Sequence, residues 1–573
     1  MTGVRRHTEG WRTLPWKMYQ RNVYRLQQRI YRAARRGDHK RVRNLQRLLL
    51  RSWSARCLAV RQVSQDNRGK RTPGVDGVAS LTPSQRLALS QNLRHLNRWT
   101  ADAIRRTYIP KPNGEQRALG IPTMRERARQ ALVKQALEPE WEARFEPNSY
   151  GFRPGRSTHD AIEAIFNYIR LKPKYALDAD IEKCFDRIDQ EALLAKLHTL
   201  RPVERLVRGW LKAGILDKGE YLFPEAGTPQ GGVLSPLLAN IALHGLEETL
   251  VNAVPYASKP AVIRYADDLV ILHEDLDILH QLKARAEAWL AEMGLNLKVS
   301  KTHITHTLNE HEGRVGFDFL GFHIRQFRVG PHQTRTYRGR PGFKTLIQPS
   351  RTAVERHRRK IREVIYQYRG APQAALIAVL NPIIRGWSMY YRACVAKRAF
   401  SRMDDQVYRL LRQWAHFRHP HKTVAWQYRR YWQRRNGRMT FSDETSTLNF
   451  HEDTAIRRHV KVRSEKSPYD GDWVYWGERL GRDPTKPQRM VRLLKRQQGR
   501  CQWCGLRLGI ADVLEVHHWD GDRMNNRYTN LGLLHAHCHD QVHGAGINDN
   551  DPRAEEPDEA KVSRPVLERQ GGR

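Results

Sequence analysis

Residues 261–272 read Ala261-Val262-Ile263-Arg264-Tyr265-Ala266-Asp267-Asp268-Leu269-Val270-Ile271-Leu272, two short apolar runs joined by adjacent acids. Such a pattern predicts a β-hairpin with both carboxylates at its tip, facing a common space outside the sheet. Adjacent carboxylates repel unless a cation lies between them, and a divalent metal is the usual cation. Asp is also a common turn residue, so the pair alone carries little weight. A second acidic strand changes this: Tyr175-Ala176-Leu177-Asp178-Ala179-Asp180-Ile181, followed by Glu182-Lys183-Cys184-Phe185-Asp186. With Asp180 at its end beside the hairpin, three carboxylates could hold two Mg²⁺ ions, the arrangement that stabilises the attacking and leaving oxygens of a phosphoryl transfer. Asp178, Asp186 and Asp189 fall off this pattern and read as structural.

Around this stretch, the chain of 573 residues carries 100 Lys and Arg against 60 Asp and Glu, a formal charge of +40. The length predicts about three or four domains. An apolar fraction of 40% with 15 Trp, 21 Tyr and 14 Phe excludes wholesale disorder. The longest clean apolar run, Ala374 to Leu380, is far short of the ~20 residues of a membrane span. No apolar segment follows Met1, so a secretory signal is not expected. Six cysteines are too few for a disulfide scaffold, and three of them lie near the C-terminus, which suggests metal. The expected setting is a reducing cytoplasmic interior, in association with the nucleoid when acting on DNA. The expected partner of so basic a chain is nucleic acid.

The first 72 residues hold 20 Lys and Arg and only three acids. Arg21, Arg25, Arg29, Arg32 and Arg36, then Arg43, Arg47 and Arg51, recur at helical spacing. Val23, Leu26, Ile30 and Ala34, then Leu45, Leu48 and Leu49, form an apolar stripe of the same period. Thr72-Pro73-Gly74 and Gly77 break the helices, and a mixed region follows to about residue 330. The Gly/Arg-rich interruption 329–342 closes it. Residues from about 350 to 435 are helical and basic, with interleaved aromatics including Tyr366, Tyr368, Trp387, Tyr390, Tyr391, Trp414 and Trp426. Residues 455–490, punctuated by Pro and Gly, read as a linker. A Cys/His module spans about 495–545, and the acidic, Pro-rich stretch beyond reads as disordered.

Tyr265-Ala266-Asp267-Asp268 with Asp180 to Asp186 resembles the palm of a reverse transcriptase. Further segments match the group II intron branch of that family in order: Thr72 to Gly77, Ile109 to Gly114, Tyr150 to Ser157, Gly227 to Gly232, Gly294 to Leu297 with Lys301, and Phe319 to Phe322. The resemblance implies that Asp180, Asp267 and Asp268 bind the two Mg²⁺ ions. It implies that Phe185 stacks under the incoming sugar and that Gln230 contacts the incoming deoxynucleoside triphosphate. Lys111 and Arg117 match the residues that hold the triphosphate. Leu380-Asn381-Pro382-Ile383-Ile384-Arg385-Gly386-Trp387 to Arg392, and Trp414 to Lys422, resemble the maturase (thumb) domain. There, cations would meet phosphates and aromatics would stack on unpaired bases. Arg385, Arg418 and Lys422 are candidates for that RNA contact.

Cys501-Gln502-Trp503-Cys504 and His535-Ala536-His537-Cys538 make two ligand pairs with zinc-ribbon spacing. Cys501, Cys504, His535 and Cys538 are the expected structural zinc ligands, with His537 the rival fourth. Between and after the pairs, His517-His518, Asn530, His539 and His543 resemble an HNH nuclease. That resemblance makes His518 the general base and Asn530 the residue that orients it. His517, His539 and His543 would hold one divalent ion; two histidines at i and i+4 share a helix face.

The expected fold is a multidomain α+β protein: a right-hand fingers and palm, an α-helical thumb, and a small zinc-containing ββα-metal domain. The expected divisions are a basic N-terminal extension (1–75), fingers and palm (76–335), thumb/maturase (350–450), a DNA-binding linker region (455–494), the HNH domain (495–546) and a disordered tail (547–573). The expected function is that of a group II intron-encoded protein. It would bind its intron RNA and assist splicing, cut target DNA, and copy RNA from the cut strand. Alternatives are a splicing cofactor with vestigial catalytic sites and a stand-alone reverse transcriptase. Intact Asp180, Asp267, Asp268 and His518 argue against the first, and the fused helical and Cys/His modules against the second. Oligomeric state is not legible in the sequence.

Overall fold

The computed structural model describes residues 10–94, 100–110, 114–223, 226–330, 342–435, 437–509, 512–522 and 524–544. The stretch 547–573 and most of the 329–342 interruption lie outside the described residues. The 261–272 stretch forms a hairpin of strands Ala261–Tyr265 and Asp268–His273. In a four-stranded antiparallel sheet, the second strand also pairs with Tyr175–Asp180, which in turn pairs with His303–His306.

These strands are apolar at consecutive positions because both faces of the sheet are covered. Leu177, Ala179, Leu269 and Ile271 enter one core, shared with helix Leu276–Ala291. Ala176, Ile263, Val270 and Leu272 enter another, shared with helix Thr158–Ile169. Each fully buried Leu, Ile or Val stabilises by roughly 1.5–3 kcal/mol, so this sheet is a firmly held platform for a site.

Helices Trp16–Arg35, His39–Arg51 and Trp53–Arg61 pack against helix Met124–Glu142. The side chain of Asp38 caps the second of them by accepting from the Arg41 N–H (2.9 Å). Val23, Ile30, Leu45 and Leu49 are buried as the stripe predicts, and Leu26 and Ala34 are partly buried. Leu48, expected in the stripe, is exposed, and Val42 and Leu50 take the inward positions instead. On the basic face Arg21, Arg25, Arg29, Arg32, Arg36, Arg47 and Arg51 are exposed. Arg43 leaves that face to meet Glu140 at 3.0 Å, which makes it a structural cation.

A fingers sheet combines Gln116–Ile121, Ile104–Pro110, Ile215–Asp217 and Glu220–Leu222 in that spatial order. Helices Arg351–Gln367, Gln373–Tyr391, Lys397–Arg418 and Val424–Tyr431 surround a core of their own.

The segment read as a linker is packed instead. Tyr24 and Tyr31 donate to the carbonyls of Pro468 (2.8 Å) and Glu465 (3.5 Å), and Trp476 is buried in the second palm core. Asp160, fully buried at the start of helix Thr158–Ile169, accepts from Arg479 Nη2 (2.6 and 2.7 Å), His459 Nε2 (3.0 Å) and the Val462 N–H (2.7 Å). Burial opposes that charge, but these donors hold the carboxyl well below the usual carboxylate range. The segment lies tightly on the palm: Gly155 there, at φ +75°, leaves no space for a Cβ beside Trp476 and Pro468. Helices Trp473–Arg482 and Gln488–Arg496 lead on to a ββα unit. Strands Leu514–His518 and Leu531–His535 pair antiparallel, and helix Ala536–Gly544 follows.

Candidate active sites

Register brings the palm carboxylates together. Asp180 ends its strand directly opposite Asp268, and the Ile181 N–H donates to the Asp267 carbonyl (3.2 Å). The two-residue turn needs Ala266 at φ +58°, a conformation unfavourable for any residue with a Cβ. A buried guanidinium holds it: Arg264 donates to the Ala266 carbonyl (3.2 Å), Asn240 Oδ1 (3.0 Å) and Ser149 Oγ (2.7 Å). Gly151 lies flat against the turn, its carbonyl accepting from Asn240 Nδ2 (2.8 Å). Arg264 and Gly151 carry no chemistry. Their signals in the sequence were an Arg inside an apolar strand and a Gly in the Tyr150–Ser157 segment.

Burial raises the carboxyls of Asp267 and Asp268, the latter to about 7, and the neighbouring Asp180 charge raises both further. Asp178, read as structural, belongs to the same field: burial, then Asp268 and Asp318, push its carboxyl up to about 7. The Lys301 ammonium is bonded to Asp180, and this contact raises the lysine. The triad does not converge as tightly as a metal cluster, since its oxygens are not among the donor sets lying within 4.8 Å of one another.

Phe185 and Gln230 line one cavity of about 360 Å³ with Gly120, Asp186 and Thr228, between palm and fingers. Arg117 is exposed on the fingers strand, and its charge reaches Asp267. Lys111 lies outside the described residues. In the helical segment Arg385 is exposed, and exposed Lys422 stands 5.6 Å from the Trp426 ring. Arg418 departs from its reading: its guanidinium donates to the carbonyls of Ala371 (2.8 Å) and Arg369 (3.3 Å) and to the Tyr431 hydroxyl (3.3 Å). It ties a loop to the helix bundle. Tyr391 and Trp414 are core residues, whereas Tyr366 and Trp426 are exposed.

Two metal-type donor clusters exist among the described residues, both in the Cys/His module. Cys501, Cys504, His535 and Cys538 offer donors within 4.8 Å of one another. His535 Nδ1 lies 3.4 Å from Cys504 Sγ, while its Nε2 lies 3.4 Å from Asp512 Oδ2. A carboxylate on the far nitrogen orients a ligating imidazole. His537 stacks on His535 but is not part of this cluster. The second cluster is His517, His539 and His543. Burial, together with the charges of the other histidines, lowers His517 to about 4, keeping the ring neutral with one nitrogen lone pair free at neutral pH. Glu515 holds His539 Nδ1 at 3.1 Å. His518 follows His517 on the strand, and its Nε2 has no hydrogen-bond partner among the described residues. The Asn530 amide makes no hydrogen bond to it among the described residues, donating instead to Asp520 Oδ1 (2.7 Å) and the Asn525 carbonyl (3.0 Å). Asn530 therefore fixes the loop that leaves His518, a backbone effect.

Comparison with known proteins matches residues 109–324 to a reverse transcriptase (RNA-dependent DNA polymerase) domain and residues 11–93 to an N-terminal domain of reverse transcriptase. Residues 354–432 match a group II intron maturase-specific domain, and the Cys/His module lies outside these three ranges. Protein YkfC of Escherichia coli is 31% identical over 350 residues, 53% of this chain and 88% of that protein. The group II intron-encoded protein LtrA of Lactococcus lactis is 34% identical over 225 residues, 38% of this chain and 37% of LtrA. Maturase-like protein 1 of Euglena gracilis is 28% identical over 315 residues, 54% of this chain and 64% of that protein. No helix among the described residues is long and apolar enough to cross a membrane. A palm sheet with three acids at one end, a helical basic segment behind it and these three matches in order lead to one conclusion: the chain belongs to the group II intron-encoded reverse transcriptase/maturase family.

Proposed function

We propose that the chain copies RNA into DNA at the palm, binds its intron RNA and assists splicing, and cuts target DNA in the nucleoid with its C-terminal module to create the primer. What supports the polymerase reading best is the register that sets Asp180 opposite Asp268 at the end of a sheet buried on both faces. The donor set suits a hard divalent cation: carboxylate oxygens only, with two carboxyls raised by burial and by each other's charge and that of Asp180. Asp180, Asp267 and Asp268 would hold Mg²⁺, which supplies charge stabilisation at the attacking and leaving oxygens. Phe185 and Gln230 would meet the sugar and base of the incoming deoxynucleotide from the shared cavity, and Lys111 and Arg117 its triphosphate. Arg385, Lys422 and the exposed arginines of the N-terminal helices would meet RNA phosphates. Asp267→Asn with Asp268→Asn tests the reading: primer extension on an RNA template should vanish while RNA binding persists. Near-normal extension with Mg²⁺ present would overturn it.

The nuclease reading is favoured by the converged His517, His539 and His543 cluster on a ββα unit. Those imidazoles would hold one divalent ion that stabilises charge on the scissile phosphate. His518 would take the proton from the attacking water, and Asn530 would hold the adjoining loop. Three thiols and one imidazole are a donor set suited to tetrahedral zinc. Cys501, Cys504, His535 and Cys538 would hold it as a structural crosslink. Residues 455–494 would carry DNA contacts beside this module.

A further inference from the structure

Three residues with a Cβ hold a positive φ in the segments that carry or touch the palm acids: Ala266 at +58°, Lys183 at +46° and Phe152 at +59°. Ala266 forms the turn before Asp267, and Lys183 precedes helix Cys184–Arg187, which carries Phe185. Phe152 follows Gly151, which lies against that turn. Its backbone conformation suits glycine, and a bulky aromatic there is an outlier. Burial does not offset the strain, since Phe152 is 48% exposed. Strain kept without burial points to a task for the side chain itself.

The Phe152 ring meets the Phe185 ring edge to face, with centroids 6.1 Å apart and planes at 77°. Aromatic pairs favour this geometry at separations of about 4.5–7 Å. Phe152 does not line the cavity that Phe185 shares with Gln230, so its effect there passes through the Phe185 ring. Both backbones are fixed by other means. The Gly151 carbonyl accepts from Asn240 Nδ2 (2.8 Å). The buried Arg153 guanidinium donates to the Glu142 carboxylate (2.9 and 3.0 Å) and to the carbonyls of Glu146 (2.7 Å) and Ser149 (2.8 Å). The Phe185 carbonyl accepts from the Thr228 N–H (2.5 Å). Main-chain clamps leave a side chain its choice of staggered rotamers, and a ring packed against it removes part of that choice.

We propose that Phe152 is a positioning residue for sugar selection: its ring holds Phe185 where a 2′-hydroxyl on the incoming nucleotide has no room. The proposal rests on the reading that Phe185 meets the sugar. Deoxyribonucleotide and ribonucleotide differ there by one hydroxyl, so selectivity depends on a clash with the larger sugar, and a small displacement of the ring removes it. Phe152 touches neither the metal-binding acids nor the cavity, and no step of the chemistry is assigned to it.

Full-length protein adds one nucleotide to a DNA primer annealed to an RNA template, with either deoxycytidine triphosphate or cytidine triphosphate at saturating Mg²⁺. Values of kcat and KM are measured for wild type, Phe152→Ala, Phe152→Gly, Phe152→Tyr and Phe185→Ala. Both truncations of Phe152 should raise kcat/KM for cytidine triphosphate relative to deoxycytidine triphosphate at least fivefold. Phe152→Tyr keeps the ring and should stay within twofold of the wild-type ratio. General damage to the palm slows both substrates alike and leaves the ratio unmoved. Glycine separates ring from backbone: it is the residue best suited to φ +59°, so a purely structural role predicts a wild-type ratio in Phe152→Gly. Because it also relieves the strain, Phe152→Gly carries the comparison should Phe152→Ala fail to fold. A wild-type ratio in the truncations, with a raised ratio in Phe185→Ala, overturns the proposal and leaves Phe185 at the sugar. An unchanged ratio in Phe185→Ala strikes the reading that Phe185 meets the sugar, and the proposal falls with it.

Discussion

Replacing Gly151 with alanine measures how closely the palm hairpin must be placed. The added Cβ would lie 2.3 Å from the Ala266 nitrogen and 2.9 Å from the Tyr265 carbonyl carbon, both backbone atoms. Ordinary contact begins at 3.4 Å, so the two segments must part by 3.4 − 2.3 = 1.1 Å. Neither moves freely. Asn240 holds the Gly151 carbonyl (2.8 Å) and accepts from Arg264 (3.0 Å), which also grips the Ala266 carbonyl (3.2 Å). The strain therefore reaches Asp267 and Asp268, whichever segment gives way. Misplacing reacting groups by about 1 Å costs on the order of 10²-fold. That is roughly 2.7 kcal/mol in the barrier, at 1.36 kcal/mol per tenfold. Single-turnover extension of a DNA primer on an RNA template, at saturating Mg²⁺, should slow by about 10- to 100-fold. Affinity for the deoxynucleotide should change less than the rate, because Gln230 lies away from the turn and Phe185 meets the moved segment only through the Phe152 ring (6.1 Å). The thermal melt serves as the check on folding. A folded variant that extends within twofold of wild type would refute the reasoning.

His518→Ala should cut primer-strand cleavage of intact DNA by about 10²–10⁴-fold, the usual share of a general base. Extension from a target already nicked should survive, and normal cleavage of intact DNA would remove His518 from the site. Elemental analysis should find about one zinc per chain, lost in Cys501→Ser with Cys504→Ser while primer extension persists. A folded, nuclease-active protein without zinc would sink the ribbon. Asp268, with its carboxyl raised to about 7, binds more proton in the folded than in the unfolded chain between about pH 4 and 7. Its contribution to stability is complete below that window and lost as pH rises through 7. In EDTA, the melting temperature of wild type minus that of Asp268→Asn should therefore fall from pH 5 to pH 8. A flat difference would show that the carboxyl titrates normally.

The palm was legible because its strands combine two strong signals, continuous apolar runs and acids at their ends. Metal spacing likewise anticipated which cysteines and histidines converge. Side chains whose role lies in a distant partner were not legible. Arg43 and Arg418 share the composition of a phosphate-binding surface, yet Glu140 and the Ala371 carbonyl claim them in three dimensions. Pro and Gly between 455 and 490 announced turning without saying whether the turning chain lay on a surface or in solvent. Arg264 and Asp160 escaped notice for the same reason: each is defined by bonds that cross long stretches of sequence. Asn530 was expected to orient His518, yet its amide meets Asp520 and the Asn525 carbonyl, since order along a motif does not reveal whether an amide meets a ring or a loop.

The Asp160 clamp has a consequence for how the chain is made. Its guanidinium partner is 319 residues downstream, beyond the whole thumb. At about 5–20 residues per second, a ribosome reaches Arg479 roughly 16–64 s after Asp160 has emerged. During that interval Asp160 keeps only its local donors, the Ser157 N–H and hydroxyl (2.9 Å each), and the oxygen that will meet His459, Val462 and Arg479 stays in water. A chain that stops after the thumb should therefore be less stable in the palm helix than the full chain.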